Sequence, residues 1–224
     1  MKIRILIFCF SSMLCSCSLI DSGKVAAGYV EAIKAVNQYY FGYEENLITP
    51  ELIKQIPYAS SVMKIGKGPK GLIILESVNK DNLTWVSADG VYLVIRNGKI
   101  IKTSGLNNNL IKIVSTLNLS DSLKEENKIT YVNYYSFDKP YLRNMRVETR
   151  VKNKGKKLVQ LINKEIELTE FEEQISNDYI GWKVKNIYWA DDDYYIWKSK
   201  QYISPKVPPI FLEVTKKPSS WGLF

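Results

Sequence analysis

Three cysteines, no histidine and one run of three aspartates bound the chemistry open to this chain of 224 residues. Without histidine there is no Ser-His-Asp or Cys-His nucleophile arrangement, and the commonest zinc ligand is missing. Cys9, Cys15 and Cys17 all lie near the amino terminus, so a chain processed there keeps no thiol for a disulfide, a thiolate metal site or a nucleophile. Gly66-Lys67-Gly68-Pro69-Lys70-Gly71 lacks the spacing and the following helix of a phosphate loop and reads as a hairpin turn. Asp191, Asp192 and Asp193 offer oxygens to a hard cation such as Ca2+, which takes about six to eight. Consecutive carboxylates do not all converge, and no distal Glu completes a loop, so a solvated turn is expected, with no metal and no cofactor. Asp89 with a later acid is the candidate pair for glycoside hydrolysis, which needs two carboxyl groups about 5–10 Å apart.

Aromatic side chains are the other chemistry-bearing group, and they crowd the second half of the chain from Tyr131 to Tyr202. Sugar rings stack their apolar faces on aromatic rings, while flanking polar side chains supply hydrogen bonds. Trp85, Trp189, Tyr194, Tyr195, Trp197 and Gln201 are the candidate contacts for a glycan or a protein partner. The competing expectation is that strand aromatics fill a β core. Adjacent pairs such as Tyr134-Tyr135 and Tyr194-Tyr195 must point to opposite faces in a regular strand, so one of each pair is expected outside the local core.

The amino terminus sets where such a surface would work. Lys2 and Arg4 supply a positive end to an apolar run that begins with Ile3 and Ile5 and continues to Leu14; it is too short for a bilayer, which needs about 20 residues, and reads as a secretory signal. Leu14-Cys15-Ser16-Cys17 resembles the bacterial lipobox, which implies cleavage after Ser16 and acylation of Cys17. Anchoring through several acyl chains, at about 0.8 kcal/mol per CH2, is effectively permanent. Ser18 is not the Asp that resembles an inner-membrane retention signal, so the outer membrane, periplasmic face, is the expected address. The net charge of +8 includes Lys2 and Arg4; the mature chain keeps 29 basic residues (31 less those two) against 23 acidic, a net of +6. A basic surface could face anionic polysaccharide or lipid head groups, nucleic acid being disfavoured by export, and a soluble lysine-rich surface with no anion site is an equal expectation because no run of like charges exceeds a few residues.

The elements follow from periodicity. Residues 1–16 are the expected signal, 17–24 a lipidated tether, and 25–224 one β-rich domain with sub-halves at about 60–106 and 128–215. Val25 to Phe41 has apolar residues near a 3.6 period and predicts an amphipathic helix. Thr49-Pro50-Glu51 predicts a short helix to about Ile56. A meander should then run through Val62–Gly66, Gly71–Asn79, Leu83–Ser87, Val91–Arg96 and Lys99–Ser104, with Asn97-Gly98 the strongest turn signal. A short helix at Asn108 to Leu117 and a surface loop from Asn118 to Asn127 are expected next. Strands at Ile129–Phe137, Arg143–Lys152, Lys157–Leu168, Phe171–Ser176, Gly181–Tyr188, Tyr194–Ser199 and Ile210–Thr215 complete the pattern, with a turn at Asn153-Lys154-Gly155. Trp221 and Phe224 close the chain and are odd residues to leave in solvent.

Trp85 through Tyr92 and Trp189 through Tyr195 share an order: tryptophan, acidic turn, aromatic strand. That internal likeness points to antiparallel meanders in two similar halves, as a half-barrel or a sandwich. The stretch Thr84 through Gly90, then Ile95 through Leu106, and the tail Ile196-Trp197-Lys198-Ser199-Lys200-Gln201-Tyr202-Ile203-Ser204-Pro205 with Pro208 to Glu213, resemble the GfcB/YjbF family of outer-membrane lipoproteins. One departure is that Asp193-Tyr194 stand in the turn where the family tends to have a Gly. The resemblance implies a mainly antiparallel β fold and a non-catalytic role in assembling or exporting capsule or other extracellular polysaccharide. It carries no catalytic residues. Partners would be the membrane through Cys17, an outer-membrane barrel or other export proteins, and the polysaccharide. A polysaccharide-modifying enzyme using carboxylates and a lipid or glycan carrier stay open. Close carboxylates in an aromatic groove would favour the first, a deep apolar cavity the second.

Overall fold

The computed structural model describes residues 48–117, 119–124 and 129–218. The expected signal, Cys17, the Val25 to Phe41 helix, Trp221 and Phe224 lie outside the described residues. Helix α1 (Pro50–Gln55) opens the described chain: Pro50 has no N–H to leave unsatisfied at the first turn, and the Thr49 hydroxyl accepts from Leu52 N at 3.3 Å.

Twelve strands then form one sheet in which every hydrogen-bonded pair is antiparallel. They are β1 (Ser60–Ile65), β2 (Lys70–Asn79), β3 (Asn82–Ser87), β4 (Tyr92–Arg96), β5 (Lys99–Ser104), β6 (Leu110–Ser115), β7 (Ile129–Phe137), β8 (Leu142–Gln160), β9 (Glu165–Asn177), β10 (Trp182–Ala190), β11 (Ile196–Gln201) and β12 (Ile210–Lys216). Their order is 5-4-3-2-1-12-11-10-9-8-7-6. Two meanders, β1–β5 and β6–β12, therefore join through the β1–β12 ladder into one continuous sheet. The free edges β5 and β6 come together as well, nearly closing a barrel. Side chains hold this seam rather than a ladder: Leu110 N donates to Thr103 Oγ1 at 2.9 Å, and Asn109 Nδ2 donates to Leu106 O and to Asp138 Oδ2. Covering both edges removes the unpaired backbone row that an open sheet exposes.

Four expectations are corrected. Asn108 to Leu117 is not helical; it supplies β6, because β-branched Ile111, Ile113 and Val114 lose side-chain freedom in a helix, and Ile113 and Val114 find ladder partners in Tyr135 and Tyr134 on β7. The loop at Asn118 to Asn127 contains helix α2 (Leu119–Lys124), whose Leu119 and Leu123 are buried against Tyr131 and Val151. Asn153-Lys154-Gly155 is a bulge inside the long strand β8, not a turn. Gly155 takes a φ of +85° there, and its N–H donates to Asn153 Oδ1 at 2.8 Å. The chain reverses instead at residues 161–164, where Leu161 N–H donates to Lys164 O, so the expected strand Lys157–Leu168 is a hairpin tip whose two ends pair with each other. The lysines around the bulge are not a bare basic patch: Lys156 pairs with Glu167 and Asp192, and Lys157 with Glu170.

Inward residues of both meanders form the core, including Ile73, Leu93, Ile100, Tyr135, Val147, Ile175 and Ile210. Tyr135 is buried and its neighbour Tyr134 is exposed, as strand alternation requires. The core also holds an ion pair. Lys99 at the start of β5 donates to Glu173 on β9 at 2.5 Å, and both are buried. The second Glu173 oxygen accepts from Asn186 Nδ2 (2.8 Å) and Tyr188 Oη (2.9 Å), while Tyr131 Oη donates to the first (3.1 Å). Burial pushes the Glu173 carboxyl up, but the Lys99 ammonium and the bonds from Lys99, Asn186 and Tyr188 together hold it below its usual value. Burial alone would lower Lys99; the Glu173 carboxylate and the nearby tyrosines raise it instead. Burial pushes the Tyr135 hydroxyl up to about 12. The pair is thus ionised, and it ties one meander to the other across the interior.

Candidate functional site

The two hairpins that share a sequence pattern also share a backbone. In the β3–β4 turn, Ser87 N donates to Val91 O and Gly90 N to Ser87 O; in the β10–β11 turn, Asp191 N donates to Tyr195 O and Tyr194 N to Asp191 O. The leading side chain caps both turns: Ser87 Oγ accepts from Val91 N at 3.0 Å, and Asp191 Oδ1 from Tyr195 N at 2.9 Å. Gly90 and Tyr194 are equivalent, with φ of +80° and +62°. A bulky residue thus takes a left-handed conformation that glycine adopts freely, at a cost of about 1–2 kcal/mol. The Tyr194 ring leans on Phe171, centroids 6.4 Å apart. Removing the ring isolates the backbone effect: Tyr194→Gly is expected to be about 1 kcal/mol more stable than Tyr194→Ala in urea unfolding. Equal stabilities would mean that the turn relaxes.

Antiparallel order puts the β10–β11 turn, the β4–β5 turn at Asn97-Gly98 and the β2–β3 turn at one end of the strands. The β3–β4 turn with Asp89 lies at the other end. Asp89 and the Asp191 to Asp193 turn therefore do not form a carboxylate pair. At the first end, where α1 leads into β1 and β12 stops, a cleft of about 400 Å³ opens. Trp85, Tyr194, Tyr195 and Trp197 line it together, although more than a hundred residues separate the first from the rest. Leu83, Ile95, Ile196 and Leu212 supply aliphatic wall, and Asp81, Asp193, Lys124 and Lys198 add charge.

Trp85 is 3% exposed, and its indole Nε1 has no acceptor among the described residues. Tyr194 stays 37% exposed. Tyr195 and Trp197 meet edge to face at 5.5 Å, with Lys217 Nζ over both rings and Lys164 Nζ 3.6 Å from the Trp197 centroid. Asp191 organises this corner: its Oδ2 accepts from Trp197 Nε1 (2.9 Å) and from Lys217 Nζ (3.1 Å). Burial raises the Asp191 carboxyl, and the bonds from Trp197, Tyr195 N and Lys217 more than offset it, so the group sits below its usual range. The three turn carboxylates diverge: Asp191 serves this network, Asp192 pairs with Lys156, and Asp193 faces the cleft.

Two of the sequence-selected residues lie elsewhere. Trp189 packs on Val159, Leu161 and Leu168 at the end of the β8–β9 hairpin, and its Nε1 donates to Glu170 at 3.1 Å. Gln201 is 1% exposed; its Nε2 donates to Gly98 O (2.8 Å) and Ser199 Oγ, and its Oε1 accepts from Ile100 N (2.9 Å). It is a bracket behind the cleft, with its amide fully used. Leu83, Ile95 and Leu212 were not singled out from sequence, since nothing local marks one strand apolar as facing a cleft.

Known proteins resemble this chain along most of its length. The family model for the group 4 capsule polysaccharide lipoprotein GfcB/YjbF matches residues 33–215. The uncharacterized lipoprotein GfcB of Escherichia coli K12 is 20% identical over 181 residues, covering 79% of this chain and 84% of that one. The uncharacterized lipoprotein YjbF of the same organism is 24% identical over 178 residues, covering 76% and 81%. The crystal structure of the hypothetical lipoprotein YmcC from Escherichia coli K12 shares the fold, with a TM-score of 0.65, 22% identity, and coverage of 78% of this chain and 91% of that one.

Proposed function

The chain belongs to the group 4 capsule polysaccharide lipoprotein family, and from that premise we propose that it is a non-catalytic lipoprotein assisting the assembly or export of capsule polysaccharide. It works at the periplasmic face of the outer membrane, anchored through Cys17. The observation that carries a binding role is the convergence of Trp85, Tyr194, Tyr195 and Trp197 on one open cleft. Its size lies within the range of small-ligand sites, about 300–1,000 Å³, and the half-exposed Tyr194 ring offers a face on which a sugar stacks.

Deleting the gene is expected to reduce surface polysaccharide, and wild-type protein to restore it. Tyr194→Ala combined with Trp85→Phe should restore much less at equal protein level by immunoblot. Cys17→Ser should release the protein from the membrane fraction and also fail to restore. Unchanged polysaccharide on deletion would overturn the proposal.

One observation favours the enzyme reading: Asp81 and Asp193 both line the cleft. Asp81→Asn with Asp193→Asn is expected to leave polysaccharide yield at the wild-type level. Loss of product in that variant, with the protein folded, would favour a carboxylate enzyme instead.

A further inference from the structure

We propose that the outer face of β8, β9 and β10 binds a strand of acidic polysaccharide, with Arg150, Lys152, Lys183 and Lys185 on its uronate carboxylates and exposed tyrosines at one end on its sugar rings. The surface is separate from the cleft, none of whose lining residues belongs to it. It adds a second site to the capsule role and rests on that role for the class of polymer.

Strand alternation and register build this face. On β8, Arg146, Glu148, Arg150 and Lys152 point outward between buried Val147, Thr149 and Val151. On β9, Glu172, Gln174 and Ser176 alternate with buried Glu173 and Ile175, and on β10 Lys183 and Lys185 alternate with buried Trp182 and Asn186. Gln174 pairs with Arg150 on one flank and with Lys185 on the other. Lys152 and Lys183 are its diagonal neighbours, so two cations stand about 5 Å and two about 7–8 Å from it, measured between Cβ atoms. No run in the sequence shows this grouping, because strand pairing assembles it from residues 150 to 185.

The charge on the face is unbalanced. Arg146, Arg150, Lys152, Lys183 and Lys185 stand against two carboxylates, Glu148 and Glu172. Glu148 bonds to Arg146 at 2.9 Å and Glu172 to Lys185 at 3.1 Å, although Glu172 stands opposite Lys152 in the ladder. Arg150, Lys152 and Lys183 therefore have no ion pair among the described residues. Like charges held side by side on a sheet repel, and a carboxylated polymer laid across them relieves that repulsion.

One end of the same face suits sugar rings. A hollow of about 240 Å³ lies at the β9–β10 turn, lined by Arg146, Glu148, Ser176, Asp178 and Tyr179. Tyr179 is 96% exposed, and Tyr134, opposite Arg146 on β7, is 36% exposed. Open aromatic rings take the apolar face of a sugar, while Ser176 and Asp178 supply partners for its hydroxyl groups. Lipid head groups would engage the cations and leave the hollow and the tyrosines unused.

The test is titration of the full-length mature protein, in nonionic detergent, with hexagalacturonate, with neutral maltohexaose, and with phosphatidylglycerol doped into the micelles. Calorimetry gives affinity, and the Gln174 side-chain amide resonances report on the centre of the face. Hexagalacturonate is expected to shift those resonances and to bind at least about tenfold tighter than maltohexaose, with an affinity that falls as salt rises from about 0.05 to about 0.5 M. Arg150→Gln with Lys152→Gln and Lys183→Gln should weaken hexagalacturonate by about tenfold or more, since three charge contacts are lost. All three residues are exposed, so the variant should fold as the wild type does. Lys67→Gln with Lys102→Gln and Lys206→Gln removes the same charge from other exposed positions and should cost less than about twofold. Tyr179→Ala should weaken hexagalacturonate by about threefold and leave its salt dependence unchanged. Equal losses in the two triple variants would mean net charge rather than a site, and a Gln174 shift with phosphatidylglycerol but not with hexagalacturonate would mean a lipid-facing surface. Either result, or no binding of hexagalacturonate, would overturn the assignment. If hexagalacturonate does not bind while deletion of the gene still reduces surface polysaccharide, this inference falls and the capsule role stands.

Discussion

Replacing Glu173 with alanine is expected to lower the free energy of unfolding by about 3–5 kcal/mol. The variant leaves the Lys99 ammonium buried beside Tyr131 and Tyr135 with no carboxylate, and takes from Asn186 and Tyr188 the acceptor that they share. A buried pair can be neutral against a well-packed apolar one, because desolvating two ions offsets much of their attraction. Lys99→Met with Glu173→Leu should therefore recover most of the loss in urea unfolding. A double variant as unstable as Glu173→Ala would mean that shape, not uncompensated charge, sets the cost.

The pair also has a pH signature. Glu173 sits below its free value of 4.5, so its contribution is complete above that pH and is lost as pH falls through the folded value. Lys99 sits above its free value of 10.5, so its contribution is complete below that pH and is lost as pH rises through the folded value. Between those limits the contribution is flat. In Glu173→Gln the lysine keeps its burial and loses its carboxylate, so its folded value drops and deprotonation relieves the strain. The stability gap between this variant and the wild type should narrow as pH rises from about 7 to about 9.5. A constant gap would show that Lys99 finds water or another partner.

The residues of this network show how far the sequence can be read. In Phe171-Glu172-Glu173-Gln174-Ile175 the period of two places Glu173 on the same face as two core apolars. Asn186 likewise shares parity with Trp182 and Tyr188. Those inward polar positions were legible as anomalies, but their partner Lys99 looks like any lysine after an Asn-Gly turn. The hairpins were legible because their turns carry specific backbone demands, and Lys99–Ser104 and Ile129–Phe137 have the expected bounds. Gly155 misled for the same reason, since a left-handed glycine serves a bulge as well as a turn. The cleft was half legible. Its aromatics were named from sequence, but the meeting of Trp85 with Tyr194, Tyr195 and Trp197 depends on closing the sheet across more than a hundred residues. Nothing in local periodicity encodes that closure.

Where the β4–β5 turn approaches β11 there is room for only a hydrogen atom at position 98, and Gly98→Ala should cost about 2–5 kcal/mol. Gly98 has a φ of +79°, which any L side chain adopts at about 1–2 kcal/mol. A Cβ there would stand 2.2 Å from Ile196 Cγ1 and 2.6 Å from its Cβ, so the turn tip or β11 must move, and such overpacking costs about 1–3 kcal/mol more. Movement would also stretch the bond from Gln201 Nε2 to Gly98 O and shift the wall between Ile196 and Trp85. The backbone and contact terms separate in a double-mutant cycle. Ile196→Ala removes the atoms that a new methyl would strike, so Gly98→Ala with Ile196→Ala should be less destabilised than the sum of the single variants by at least about 1 kcal/mol. The residual cost in that background should approach the backbone term alone. Strict additivity would mean that the β4–β5 turn does not bear on β11, and that the cleft owes its shape to something other than this contact.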